Sequence, residues 1–151
     1  MTFFYNDVII NTNKSIGVKY VHYVGKINKN IYQEVIKAKI ITDEVIITDN
    51  RIQHIIDRRG QEFYDEYNQY FSEIISNPDY IFKDNALNTV IVTKSFKQNN
   101  TNVNLIVKLV IEGDDNGYKN SIITAIKENN KRFEQRLRNN NPSYINIDKS
   151  E

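Results

Sequence analysis

The segment "NTVIVTKSFKQNNTNVNLIVKLVI", from Asn88 to Ile111, carries the strongest structural signal in the chain. Its apolar residues follow a period of two on both sides of "KQNNTN", a run of turn-forming residues, which is typical of two β-strands. A short link between consecutive strands favours an antiparallel hairpin. The neighbouring segments "DYIFKD" (79–84) and "KNSIITAI" (119–126) have the same character, with the turn-rich "EGDDNGY" before the second. We therefore predict a four-stranded antiparallel sheet.

The residues before this sheet follow a helical period instead. Ile52, Ile55 and Ile56 form an apolar stripe, and "QEFYDEYNQYFSEIIS" (61–76) places its large apolar residues three or four positions apart. Pro78 ends the helical region because proline cannot continue a helix. These patterns predict two consecutive helices that pack on the sheet.

The outer segments are less regular. "IGVKYVHYVGKI" (16–27) alternates as a strand does, "NIYQEVIKAK" (30–39) indicates a short helix, and "EVIIT" (44–48) a short strand or extended segment. "ENNKRFEQRLRNN" (128–140) predicts a final helix with Phe133 and Leu137 as docking residues.

The complete pattern predicts an α+β fold: N-terminal helices, then a four-stranded antiparallel sheet, then a C-terminal helix. We expect residues 1–151 to form a single domain, because no linker or repeat interrupts them, and the tail 142–151 to be flexible.

Composition excludes several classes of site. The 151 residues include no cysteine, which rules out thiol nucleophiles, disulfide scaffolds and cysteine-ligated zinc. With His22 and His54 as the sole histidines, a histidine-rich metal site is not expected, nor is any cofactor. A net charge of +1 means that an anion-binding surface must be a local patch. Without a long apolar run or a signal-peptide pattern, we expect a cytoplasmic protein with no membrane partner, acting in its own cell or delivered to another.

At about 100° per residue, Arg51, His54 and Arg58 fall together on the side of their helix opposite its apolar stripe. This face has either of two explanations. It is a solvated surface, or it is a site in which the imidazole accepts a proton and the arginines bind an anion.

The order of segments resembles a known family, the phage-associated branch of the barnase–EndoU–colicin–RelE (BECR) nuclease superfamily. The resemblance covers residues 24–138. Its anchors are "VGKIN", "ITDEVIITDNRIQHI", "NPDYIFKDNALNTVIVTK" and "GYKNSIIT". Domains of this superfamily have N-terminal helices followed by a four-stranded antiparallel sheet, and they cleave RNA without a metal.

The family resemblance implies a set of catalytic residues. Its "HI-x-x-R-H" pattern corresponds to His54, Ile55 and Arg58, with Arg59 in the place of the last histidine. RNA cleavage without a metal needs a base for the ribose 2′-hydroxyl and donors for the phosphate. We expect His54 to be the base, with Arg58 favouring its neutral form by charge repulsion.

A second pattern, "K-x-S-I-I-T", corresponds to Lys119, Ser121 and Thr124. Ser121 and Thr124 are predicted as catalytic. Because they are three apart on a strand, they can reach one site only through a bulge or a twist.

Further residues are predicted to bind substrate. Arg51 and Arg59 could clamp a phosphate, and Lys119 is implied by the family pattern. Lys94 and Lys108 each interrupt an apolar strand, which is costly unless the lysine is paired or near a site. For all of these cations the alternative is a solvated surface, with the lysine stems lying along the sheet.

The remaining histidine and the tyrosines have structural alternatives. His22 lies in an aromatic, alternating segment, and a structural role is favoured for it. Tyr64, Tyr67 and Tyr70 could stack on RNA bases, but the spacing of Tyr67 and Tyr70 favours the core.

We therefore predict a metal-independent RNA endonuclease of toxin or phage-effector type. It would cleave by 2′-hydroxyl attack to a 2′,3′-cyclic phosphate, with RNA, for example tRNA, and a proteinaceous inhibitor as partners. The alternative is a non-catalytic nuclease-like module of a phage or mobile element that binds RNA or protein. A phage structural or assembly protein is a third hypothesis.

Overall fold

The hairpin predicted at 88–111 forms the centre of the sheet. The computed structural model describes residues 8–10 and 18–149. Its strands are β1 (Val8–Ile10), β2 (Val18–Lys26), β3 (Glu44–Thr48), β4 (Tyr80–Lys83), β5 (Thr89–Phe96), β6 (Thr101–Lys108), β7 (Asn120–Asn129) and β8 (Tyr144–Ile145). Its α-helices are α1 (Lys29–Gln33), α2 (Asp49–Arg59), α3 (Gln61–Tyr67), α4 (Phe71–Ser76) and α5 (Asn130–Asn139).

The prediction of a four-stranded sheet preceded by helices is wrong. The four predicted strands form β4 to β7 and pair antiparallel in the order β7-β6-β5-β4. Across the described residues, however, the mixed sheet has seven strands in the order β2-β3-β7-β6-β5-β4-β8, and β1 pairs with β2 as an eighth. Strands also precede the first helix of the described chain.

The parallel pairing of β3 with β7 accounts for this difference. Val45 lies beside Asn120, and Ile46 beside Ser121. The connection between these strands contains α2 to α4 and the three strands β4 to β6. A pairing over so long a separation leaves no local signal, and a five-residue apolar run such as "EVIIT" does not show its partner.

One face of the sheet is covered by α2, α3 and α4. Their buried Ile55, Phe63, Phe71, Ile74 and Ile75 pack in one cluster with the alternating apolar residues of the strands. Those strand residues include Val90 and Val92 on β5, Val103, Leu105 and Val107 on β6, and Ile122 and Ala125 on β7. We call this the helical face and the other side the polar face.

The helix predicted at 61–76 is interrupted. A short 3-10 segment, Asn68–Tyr70, separates α3 from α4, and Tyr67 and Phe71 on its two sides are both buried in the core. Tyr67 is buried and Tyr70 is half-buried against the same cluster, as the spacing predicted.

On the polar face α5 crosses the strands. Phe133, a predicted docking residue, is buried and its ring meets those of Tyr80 and Phe82 with centroids 5.1 Å and 6.2 Å apart. Within the tail 142–151, for which flexibility was predicted, Tyr144 and Ile145 pair with β4 as β8. In the described residues, every helix is too short or too polar to cross a membrane.

Candidate functional site

A bulge in β7 places Ser121 and Thr124 on one face of the sheet. On β6, Lys108 pairs with Ser121 and Ile106 pairs with Thr124, so three steps along β7 match two steps along β6. An unbroken pleat would point the two side chains to opposite faces. The extra residue, Ile123, removes that conflict, and both side chains lie on the polar face together with Lys108.

The Thr124 hydroxyl is an unusual group within this site. Its Oγ1 is buried and has no hydrogen-bond partner in the structure. A buried polar atom without a partner costs roughly 1–3 kcal/mol, so most such atoms are paired. The unpaired hydroxyl lies on the same face as the half-buried Ser121, and a ligand would reach its buried oxygen only after a local shift of the side chains around it.

Helix α2 lies along the edge of β7 where β3 stops pairing with it. The β3–β7 pairing ends at Ile46 and Ser121, which leaves the backbone of β7 open beyond that point. The guanidinium Nε of Arg59 donates to the carbonyl oxygen of Ala125 at 3.1 Å. Arg59, a predicted substrate-binding residue, thus ties the end of α2 to the residue that follows Thr124.

The predicted base lies on this same helix. Ile55 anchors α2 in the core, whereas His54 is half-buried and Arg51 and Arg58 are exposed. Among the described residues, no hydrogen-bond partner of the His54 imidazole is present. Asp57 accepts from Gln53 at 2.8 Å. Helix α2, with the predicted base and arginines, therefore contacts β7 from the helical face, whereas the predicted hydroxyls of β7 lie on the polar face.

The three predicted lysines are not gathered at one point. Lys94 lies on the helical face, where its Nζ donates to the carbonyl oxygen of Asn77 at 2.7 Å and lies 3.7 Å and 3.8 Å from carboxylates of Glu73 and Asp79. Those partners stabilise the charge, so the fold itself accounts for Lys94. Its position on β5 is two strands away from β7.

Lys108 and Lys119 lie close to the β7 hydroxyls. The Nζ of Lys108 donates to the carbonyl oxygen of Leu87 at 3.0 Å, and Lys119 forms an ion pair with Glu44 at 2.6 Å. Lys108 is exposed and stands opposite Ser121. It is therefore the lysine best placed to meet an anion at this site.

The sequence interpretation missed a polar network further along the polar face. Thr93 Oγ1 donates to Asn104 Oδ1 at 2.5 Å, and Asn104 Nδ2 donates to Glu128 Oε1 at 2.8 Å. Arg136 from α5 completes the network with a 2.8 Å ion pair to Glu128, its guanidinium 4.3 Å from the ring centre of Phe82. The signal available in the sequence was Asn104, the one asparagine within the apolar run "VNLIVKLVI".

The network controls the charge of Glu128. Burial alone would raise its pKa, but hydrogen bonds from Arg136 and Asn104 and the charges of Arg136 and Arg132 outweigh burial and lower the pKa. The carboxylate is thus held ionised, and it fixes α5 on the sheet. In the described part of the chain, no group of three or more His, Asp or Glu side chains is arranged to hold a metal ion.

Comparison with known proteins identifies the chain. Searches of curated proteins and of solved structures give no match. The family model PBECR2, described as phage-Barnase-EndoU-ColicinE5/D-RelE like nuclease2, matches residues 20–141. This match confirms the resemblance drawn from the sequence motifs and supports a nuclease function in general terms. The protein belongs to the phage-associated BECR nuclease family PBECR2.

Proposed function

We propose that the protein is a metal-independent RNA endonuclease of toxin or phage-effector type. One observation carries this proposal: the PBECR2 nuclease model matches residues 20–141. Helix α2, which carries His54, is tied through Arg59 to β7, the strand that carries Ser121 and Thr124. Hydroxyl donors, a histidine and arginines are the groups that phosphodiester cleavage without a metal requires.

In the proposed reaction His54 removes the proton of a ribose 2′-hydroxyl. The 2′-oxygen then attacks the adjacent phosphorus, the bond to the 5′-oxygen breaks, and a 2′,3′-cyclic phosphate forms. The leaving 5′-oxygen takes a proton from solvent or from the imidazolium. The RNA would cross the edge of β7 beyond its pairing with β3, so that Arg58 stabilises the added negative charge on one side of the strand while Ser121 and Thr124 donate hydrogen bonds to phosphate oxygens on the other.

The surrounding cations have a supporting role in this proposal. Arg51 and Lys108 are exposed and could contact neighbouring phosphates, and Lys119 directly precedes β7. Arg59 acts through its bond to Ala125, which positions α2 against β7. Lys94 is the weakest member of the substrate-binding set because its carboxylate partners already stabilise it.

Incubation of the purified protein with total RNA in EDTA tests the proposal. We expect fragments to accumulate with wild type and with Gln53→Ala, a control on an exposed position of the same helix, but not with His54→Ala. Intact RNA in every sample would show that the protein is not a ribonuclease.

The rival function is a non-catalytic nuclease-like module that binds RNA or protein. Arg59 favours it, since this residue replaces the histidine of the family pattern and its guanidinium already binds a backbone carbonyl. A binder retains RNA affinity that falls with salt and shows no turnover, whereas an enzyme shows both binding and turnover. Measuring affinity at two salt concentrations beside the cleavage assay separates the two.

A further inference from the structure

Helix α5 has a concentration of positive charge that the rest of the chain does not share. It contains four of the 20 basic residues of the sequence and one of the 19 acidic residues, so its net charge is +3. The other 141 residues, with 16 basic and 18 acidic side chains, have a net charge of −2. An anion that approaches the protein is therefore attracted to α5.

Three of the cations on α5, Lys131, Arg132 and Arg138, are exposed, and we call them the basic face of α5. Among the described residues, none of the three forms an ion pair, although the charge of Arg132 helps to lower the pKa of Glu128. At about 100° per residue, Lys131 and Arg138 lie opposite Phe133, which is buried against the sheet. The basic face is thus directed away from the sheet.

The stability of the helix does not explain this arrangement. Lys131 and Arg132 lie in the first turn of α5, where the helix dipole favours acidic side chains, and that turn has none. Arg132 also precedes Arg136 by four residues, a spacing at which like charges destabilise a helix. Of the three exposed cations, Arg138 alone lies in the last turn and complements the dipole. The two cations of the first turn weaken the helix, which indicates a role in binding.

The apolar side of α5 is already used by the fold. Phe133 is buried, with its ring against those of Tyr80 and Phe82. A helix that binds a lipid surface buries its apolar side in the lipid, and Phe133 is not available for this. A polyanion that is recognised by its charge, such as the sugar-phosphate backbone of a nucleic acid, fits the basic face.

The basic face also lies on a path from the candidate site. Helix α5 follows β7 directly and lies on the polar face, as do Ser121 and Thr124. Thr124 is six residues before Asn130, about 20 Å along a strand, and Lys131 is about 10 Å from Arg138 along the helix. At about 3.4 Å per nucleotide of a helical strand, this path corresponds to roughly nine nucleotides. One RNA strand can therefore extend from the hydroxyls of β7 to the basic face.

We infer that the basic face of α5 binds the sugar-phosphate backbone of the RNA substrate, several nucleotides away from the cleaved bond. The inference rests on the proposed function, because the bound strand would be the RNA that is cleaved. Lys131 and Arg138 are the principal phosphate contacts. They bind all sequences alike, since a contact to the backbone reads no base.

Binding of a single-stranded 2′-O-methyl RNA of about twelve nucleotides to the full chain tests the inference. Every 2′-hydroxyl of this probe is blocked, so the proposed reaction cannot cleave it. Fluorescence anisotropy over a series of KCl concentrations gives the slope of log affinity against log salt concentration. For Lys131→Gln/Arg138→Gln we expect weaker binding and a slope shallower by about 1.4, since each phosphate contact with a single strand contributes about 0.7. Either single variant should give about half of this change.

A matched control removes two cations elsewhere. Lys29 on α1 and Lys37 after it are exposed, and Tyr32 and Ile36 between them belong to the cluster of the helical face. Lys29→Gln/Lys37→Gln should therefore keep the wild-type slope.

Three results would overturn the inference: an unchanged slope for Lys131→Gln/Arg138→Gln, an equal change in the control, or no binding of the probe by wild type. Tighter binding of polyglutamate of equal charge than of the RNA probe would indicate an acidic protein as the partner and would also overturn it. Binding requires no cleavage. Cleaved RNA with an unchanged slope would therefore remove this inference alone, whereas the expected change in slope without cleavage would support it and remove the proposed reaction.

Discussion

Replacing Arg136 by methionine should destabilise the fold by about 3 kcal/mol. The side chains of Arg136 and Glu128 are 22% and 15% exposed, and their ion pair is 2.8 Å long. Breaking a buried pair costs roughly 3–5 kcal/mol, and partial exposure reduces this to about 2–3 kcal/mol. Loss of the cation–π contacts with Phe82 and Phe133 adds roughly 0.5–1 kcal/mol.

Urea denaturation followed by circular dichroism measures the change. The matched control is Arg138→Met, an exposed arginine of the same helix, which should change the free energy of unfolding by less than about 0.5 kcal/mol. The double variant Glu128→Gln/Arg136→Met should be more stable than the sum of the single effects predicts, by roughly 1–2 kcal/mol, because no lone charge is left. If the two single effects on the free energy of unfolding were additive, or if Arg136→Met lost no more stability than Arg138→Met, the ion pair would not be what holds α5 on the sheet.

The same pair has a defined acid dependence. Because the folded-state pKa of Glu128 is lowered from 4.5, the ionised group stabilises the fold above that value. This contribution is lost as pH falls through the lowered pKa. The stability advantage of wild type over Glu128→Gln should therefore be constant near neutral pH and shrink below about pH 4.5, as a series of urea titrations measures. If the stability advantage of wild type over Glu128→Gln increased as the pH fell, the lowered pKa of Glu128 would be contradicted.

Substitutions at the candidate site should distinguish residues that transfer a proton, residues that bind phosphate and residues that stabilise the fold around the site. His54→Ala should lower the cleavage rate by roughly 10²–10⁴-fold with nearly unchanged RNA affinity. If the variant does not fold, His54 has a structural role instead. Arg58→Ala should weaken RNA affinity and lower the cleavage rate, since a phosphate contact exists before and during the transition state. If neither quantity changes, Arg58 does not contact the substrate. Asn120→Ala should cost about 2–4 kcal/mol in a urea titration, because the buried amide accepts from the Val110 backbone and donates to the Thr42 carbonyl, each at 2.8 Å. A loss below about 1 kcal/mol would show that water replaces these bonds.

The parts of the fold that local patterns determine could be predicted from the sequence. The hairpin 88–111 and its two neighbouring strands have period-two alternation and turn-rich links, and they pair as predicted. The parallel partner of β7 could not be predicted, since β3 is more than 70 residues away along the chain. The size of the sheet depends on that long-range contact.

The same distinction holds for the candidate site. The need for a bulge between Ser121 and Thr124 follows from the pleat alone, and the structure contains that bulge. The partners of Lys94 and Glu128 belong to other elements, so only the assembled fold shows that these charges are stabilised. The contact of His22 with Asp49 joins residues 27 positions apart, and no spacing rule connects them.

The chemical nature of the product ends tests the proposed reaction most directly. RNA treated with the wild-type protein in EDTA should yield fragments with 2′,3′-cyclic phosphate and 5′-hydroxyl ends, and His54→Ala should yield none above background. Fragments with 5′-phosphate ends, or cleavage that requires an added divalent metal, would contradict attack by the 2′-hydroxyl with His54 as the base.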